Sequence, residues 1–478
     1  MSAPFVDQTF DFPQPDGTII TVRGTGNQDR ARFETLDGRP LERNADGRWV
    51  EVQRPAPGGI GALSFGADED HSLTSPLADR SSRWEKRRRE VRRPPPARVL
   101  GAPMAFSPPS RQTRGTFVGL TVLVDFSDDP ATIPRKEVED FCNKAGYSGF
   151  GNNGSVADYF RDVSGGHVNY TNVVLPYYRA KKPKRHYADL ALPAASRIKQ
   201  FTRRAQDLIR EALQHHLAAG TNLGVLSADS KSFILALNVF YAGGCPNAWS
   251  EGIWPHQSTL ATPIALPGGR KFADYQITDM GAQLSLGTFC HENGHMICDF
   301  PDLYSYVKNN GNGAGNFCLM CFGANADPRN PVHVSAYLKN EAGWGNAVTA
   351  APGNASLTAG NSFLLHRRNA DEYFIVENRQ RSGRDAALPG SGLAVWHVDE
   401  KGSNNRPQSA PHNHYECALV QADGLTEIEN GLNAGEARDL FAGPAAVFSR
   451  GWRNDPAPPS LTIDKISGPA PTMTFRIR

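Results

Sequence analysis

Apolar residues change their spacing several times along the chain, and each change marks a different kind of structure. Over residues 1–53 they alternate with polar ones in short runs, TFDF, TIITVRG, RARFETLDGRP and DGRWVEVQ, with D-G pairs at the turns. Alternation of period two broken by D-G reads as strands joined by hairpins, so a small β-module is expected here. Periodicity then fades. From 54 to 114 the chain passes through PAPGG, RWEKRRREVRRPPPAR and PMAFSPPSRQTR, which read as a Pro- and Arg-rich linker.

A continuous apolar run, TFVGLTVLVDF, opens the next region and fits a strand buried on both faces. PRKEVEDFCNK and GSVADYFRDVS follow as short amphipathic helices and HVNYTNVVLPYY as a strand. A long helix is expected over 196–220, closed by Gly220, then a buried strand over 232–244. QLSLGTFCHENGHMI and PVHVSAYLKNEAGW (331–344) are the last helical patterns. After Pro352 strand-length runs alone remain: SLTAGNSFLLHRR, EYFIVENRQ, SGLAVWHVDE, ECALVQADG and TMTFRIR. The expected fold class is α+β, with a β-rich module over 1–53, the linker over 54–114, a mixed domain over 115–350 and a β-rich, sandwich-like domain over 351–478.

Length agrees with several units, since 478 residues exceed one core at roughly 150 residues per domain. A formal charge of +2 points to no polyanionic partner. The basic run at 83–98 carries one aromatic, Trp84, and lies beside PPP, so it reads as a solvated connector and no nucleic acid is expected. No run of about 18 apolar residues exists, so no transmembrane segment is expected. The start, MSAPFVDQTFDFPQPDG, has neither the basic nor the apolar region of a signal peptide.

The chemistry concentrates in CHENGHMICDFPDLYSY, from Cys290 to Tyr306. His291 and His295 are four apart, so on a helix both imidazoles face one way and reach a single zinc ion. Glu292 then stands beside the metal as general base, and one helical turn supplies two ligands and the proton acceptor for a metal-activated water. A third ligand has to come from elsewhere. No Glu occurs between Glu292 and Glu341, which argues against a ligand Glu on a later helix. In the alternative class the chain turns back after the helix with the ligand ten residues beyond the first His, and here that position is Pro301. The oxygen donors nearby are Asp299 and Asp302, with Asp327 further on. Met320, in NFCLMCFG, stands 25 residues after His295, where the turn-back class carries a Met in a tight turn under the metal. A Gly-rich loop, NNGNGAG (309–315), comes after the motif, as an exposed metal site on a scaffold would need.

HENGHMICDFPDLY followed by CLMCFG, with PVHVSAYLKNEAGW after it, resembles the immune inhibitor A-type family of secreted bacterial zinc metalloproteases, a metzincin-like group. FPQPDGTIITVRGTG is similar to that family's N-terminal pro-region, LTVLVDFSD and GSVADYFRDVSGG to the start of its catalytic domain, GIWPHQ to the segment before its active helix, and LPGSGLAVWHVDE to its β-rich region. The resemblance implies a zinc endopeptidase acting on protein or peptide bonds, with one catalytic zinc, His291, His295 and an Asp as ligands, Glu292 as base and Met320 as the Met-turn residue. The family's ligand Asp belongs to a Pro-Asp pair, which matches Pro301-Asp302, although the usual spacing is one residue shorter. Asp302 is therefore the expected third ligand, with Asp299 as the alternative.

The resemblance also implies an extracellular protein. His256 in WPHQ and Tyr304 are candidates for the cleft, and a monomer is expected. Asp423 and GLNAGEARDLF are similar to acidic family segments where calcium binds, but Glu436 and Arg438 interrupt them and no calcium site is assigned. Seven cysteines are present, four of them between Cys290 and Cys321. They read as packed thiols or as a cross-link from Cys298 to Cys318 or Cys321, in preference to a structural zinc site. The competing functional reading is a catalytically inactive, peptidase-like binding protein.

Overall fold

A computed structural model describes residues 4–26, 31–44, 46–52, 113–190, 203–247, 252–306, 311–369, 371–410, 412–453 and 455–478. The expected linker up to residue 112, with its basic run, and residues 196–202 of the expected long helix lie outside the described residues. The fold mixes α and β with several sheets and few helices, 19% helical against 34% strand. Among the described residues no helix is long and apolar enough to cross a membrane. The chain forms two compact units. One takes the described residues up to 52 with 117–150 and 171–285; the other takes 113–116, 151–170 and everything from Leu286 onward.

The first unit begins with an antiparallel meander of β1 (Phe5–Pro13), β2 (Ile19–Gly26), β3 (Ala31–Glu34), β4 (Pro40–Arg43) and β5 (Trp49–Glu51), in chain order. Three of its turns are built alike: the amides of Gly17, Gly38 and Gly47 each donate to the carbonyl three residues back, at 2.9 Å. Each of these glycines has φ between 81° and 87°, a conformation that costs other residues a Cβ clash, which is why D-G marks the hairpins. Phe12, Val22, Phe33, Leu41 and Trp49 form the meander's apolar face and close over Trp254.

The larger sheet of this unit has the order β7 (Val168–Arg179), β6 (Gly115–Asp125), β8 (Leu237–Tyr241), β10 (Lys271–Asp279), β9 (His256–Ala265). β8 runs parallel to both β6 and β10, while β9 is antiparallel to β10. The apolar run of β6 is buried from residue 119 onward, as a strand covered on both faces requires. Leu208, Ile209, Ala212 and Leu213 of the helix Arg203–Ala218 join its core. That helix ends at Gly220, φ 76°, whose amide donates to Leu217 O. The β9–β10 hairpin had no clear signature, because HQSTLATPIA mixes polar residues and Pro263 into both faces.

The second unit holds the helix Leu286–Cys298, which carries the HExxH residues, and two short helices, Val156–Val163 and Ala336–Glu341. The last is shorter than the 331–344 pattern suggested. Pro331, Val332 and Val334 stay outside it, and Ser335 caps the helix by accepting from the Leu338 amide. Two antiparallel-rich sheets complete the unit. One has the order β11 (Asn346–Thr349), β13 (Ser362–Arg367), β14 (Glu372–Arg379), β15 (Gly392–Asp399), β16 (Cys417–Leu419). The other runs β12 (Gly353–Thr358), β19 (Thr472–Ile477), β18 (Leu461–Asp464), β17 (Phe448–Arg450). Phe374, Val376 and Val395 from the first share a core with Phe448, Ile463 and Phe475 from the second, which makes a sandwich.

Arg379, fully buried at the end of β14, ties the sandwich to the loops beneath the HExxH helix. Its Nε and Nη2 donate to the two Asp385 oxygens, each at 2.7 Å, and its Nη1 donates to Phe317 O at 2.9 Å. Asp385 also accepts from the His333 amide, and the His333 carbonyl in turn accepts from the Leu319 amide.

Candidate metal centre

One turn of the helix Leu286–Cys298 brings the His291 and His295 rings to 4.9 Å between centroids. Each ring spends its Nδ1 proton on a backbone carbonyl: His291 donates to Leu319 O at 2.9 Å and His295 to Phe300 O at 2.6 Å. A carbonyl only accepts, so Nδ1 carries the proton and, in the neutral ring, Nε2 presents a bare lone pair.

The helix stops at Cys298, and Asp299 follows in the left-handed region at φ 53°, its amide donating to His295 O. This is a backbone role that Asp tolerates better than most residues. The turn carries the chain through Pro301 to Asp302, which is fully buried with Oδ1 3.0 Å from His291 Nε2 and 3.2 Å from His295 Nε2. Asp302 Oδ2 accepts from Tyr306 Oη at 2.5 Å. The Asn405 amide group donates to the carbonyls of Asp302 and Tyr304, and the Leu303 amide donates to Met320 O. Asp302 is thus fixed at both its side chain and its backbone.

The two Nε2 atoms and Asp302 Oδ1 approach one another without hydrogen-bond alignment, and all three are buried with no hydrogen-bond partner. Three acceptors turned on a common point can share a cation. Tetrahedral zinc with bonds of about 2.0–2.1 Å sets its ligand atoms about 3.3 Å apart, close to the spacing seen here, and two imidazoles with one carboxylate suit zinc. Among the described residues this metal-competent group comprises His291, His295 and Asp302, and neither Asp299 nor Asp327 belongs to it.

Glu292 is buried, and neither of its carboxylate oxygens has a hydrogen-bond partner. Burial raises its pKa.

Met320 is fully buried, and its Sδ lies against Gly294, inside the HExxH turn. Tyr304 is also fully buried, packed edge-on to Tyr306. His256 belongs to the first unit, on β9, where its ring nitrogens lie 2.6 Å from Trp254 O and 3.2 Å from Tyr275 Oη; burial pushes its pKa down to about 3. Residues 311–315 of the Gly-rich stretch are mostly buried. A Cβ at Gly311 would meet Glu429 O at 2.0 Å and one at Gly315 would meet Ala434 O at 2.3 Å, so the glycines serve close packing. All seven cysteines are thiols, so of the two readings, packed thiols or a cross-link from Cys298, the first describes them. Cys318 Sγ instead accepts from the Ser335 amide, and Cys321 Sγ donates to Asn312 O.

Residue patterns did not reveal the carbonyls of Leu319 and Phe300 or the amide of Asn405. The first two act through the backbone, and Asn405 lies a hundred residues away in a polar loop where nothing distinguishes it. No protein-family model matches this chain, and a search of curated proteins returns no match.

Proposed function

We propose that this protein is a zinc-dependent endopeptidase of metzincin-like type, acting on protein or peptide bonds. The observation that carries the reading is the convergence of three bare, buried acceptors, His291 Nε2, His295 Nε2 and Asp302 Oδ1, beside a buried Glu292 whose two oxygens are without partners. A zinc ion held by these three would acidify a water and polarise a carbonyl. Glu292 would accept a proton from the attacking water and pass it to the leaving amine, a role its position next to His291 and its raised pKa both suit. Leu319 O and Phe300 O orient the imidazoles, while Tyr306 and Asn405 orient Asp302.

The resemblance of HENGHMICDFPDLY and CLMCFG to immune inhibitor A-type proteases supports the same reading and adds an extracellular setting to it. Zinc content together with casein cleavage, with Glu292→Ala as control, tests the proposal. One catalytic zinc and cleavage that disappears in the variant are expected; stoichiometric zinc with no Glu292-dependent cleavage would reject it in favour of a binding protein.

A further inference from the structure

We infer that Asp399, His412 and His414 form a second site for a divalent transition-metal ion of the zinc class, in the β-sandwich. Asp399 ends β15 and is fully buried. Its Oδ1 accepts from the Lys401 amide at 2.9 Å, and its Oδ2 faces two imidazoles, 2.6 Å from His412 Nδ1 and 3.0 Å from His414 Nε2. His414 is itself buried and donates its Nδ1 proton to Tyr415 O at 2.7 Å. Its Nε2 therefore carries the lone pair in the neutral ring, and that atom is buried with no hydrogen-bond partner. An Asp399–His412 ion pair would account for the 2.6 Å contact, but it leaves His414 Nε2 facing a carboxylate oxygen, acceptor against acceptor. A shared cation resolves both contacts at once.

The backbone is shaped to make this convergence. Asn413, between the two histidines, has φ 55°, and this left-handed step turns both neighbouring rings toward one oxygen. The loop is pinned on either side: Ser403 donates to His414 O and Asp399 to Glu416 O, both at 2.8 Å, and Asn413 donates to Ala410 O at 2.9 Å. His397, two residues before Asp399 on β15, packs its ring 5.8 Å from that of His414 and is already engaged with Glu372 at 3.1 Å. It backs the cluster and leaves the three ligand atoms, which all lie within 4.8 Å of one another. Two nitrogens and one oxygen suit zinc; calcium and magnesium prefer oxygen throughout. The His412 side chain is about a third exposed, at 32%, so an ion has a path in and a fourth position remains for water.

None of these residues belongs to the candidate peptidase centre, so the two sites are separable by experiment. The full chain is stripped with chelator and titrated with zinc under equilibrium dialysis, with bound metal measured by mass spectrometry. Two equivalents are expected for the unaltered chain, one for His291→Ala/His295→Ala and one for His412→Ala/His414→Ala. Because His414 is buried, the milder His412→Ala is made in the His291→Ala/His295→Ala background; it should keep its circular dichroism and lose at least about tenfold in zinc affinity. The inference is overturned if His291→Ala/His295→Ala binds no zinc, or if the natively folded His412→Ala chain binds zinc as tightly as its parent.

Discussion

Met320 Sδ occupies the space a side chain at Gly294 would need: a Cβ built there falls 2.8 Å from the sulfur. The glycine in HENGH is therefore a packing requirement of the residue beneath the site. Gly294→Ala gains about 1 kcal/mol of helix propensity, which offsets the cost of moving the thioether. We expect its melting temperature to change little while zinc affinity falls, measured by competition with a chromogenic chelator. Met320→Ala leaves a cavity and should cost about 2–5 kcal/mol in denaturant unfolding.

Glu292→Gln is expected to retain zinc and the fold while lowering kcat by about 10²–10⁴, the usual contribution of a positioned general base. Steady-state cleavage of a quenched peptide, with metal content determined on the same sample, checks this. Loss of zinc in this variant would instead assign Glu292 to metal binding.

Asp302 and Asp299 separate cleanly. Asp302→Ala removes the proposed third ligand and should lower bound zinc by one equivalent, leaving the second site filled. Asp299 sits at φ 53°, where glycine is at ease, so Asp299→Gly keeps the turn and should bind zinc normally. Metal analysis and thermal unfolding of the pair decide the matter.

Tyr306 acts on the centre through Asp302 Oδ2. Tyr306→Phe deletes one hydroxyl and should weaken zinc by about 10- to 100-fold, the effect typical of a partner to a metal ligand. An unchanged dissociation constant would show that Asn405 alone suffices to fix the aspartate.

The Arg379–Asp385 pair predicts acid lability. Burial raises the Asp385 carboxyl, but the Arg379 guanidinium outweighs it and the folded pKa lies well below the ordinary value. The unfolded chain then binds the proton more readily. The stabilisation is complete above about pH 4, near the unfolded carboxyl's pKa, and is lost as pH falls toward the folded value. Asp385→Asn should cost at most about 3–5 kcal/mol at neutral pH, leaving Glu377 as the remaining carboxylate partner of buried Arg379. It should also flatten the decline of melting temperature between pH 5 and pH 2.

The parts of this architecture that could be read from residues are those in which side-chain type dictates conformation. D-G pairs located the hairpins of the meander because the left-handed position needs glycine, and the HExxH spacing placed two imidazoles on one helical face. The choice between Asp299 and Asp302 was not legible in the same way, since it turns on one backbone angle at a residue that is not glycine. The β9–β10 hairpin escaped because its polar residues do not fall on a single face. The glycines after the motif gave the right composition for a loop, but composition does not say what packs against a backbone. The pair His412 and His414 carried a signal, H-x-H after a distant Asp, but only the return of the chain beside β15 gives it meaning.

Arg379, on a strand of the sandwich, holds the carbonyl of Phe317, and its partner Asp385 holds His333, which in turn holds Leu319 next to His291. Asn405, from the connection between β15 and β16, holds Asp302. The floor of the candidate centre is therefore built in part by residues that follow it by about 80 to 110 positions. A fragment ending near residue 350 would retain the HExxH helix and lose its foundations, so the sandwich cannot be exchanged like an appended binding module. Recombination, natural or engineered, has to carry the helix and the sandwich together.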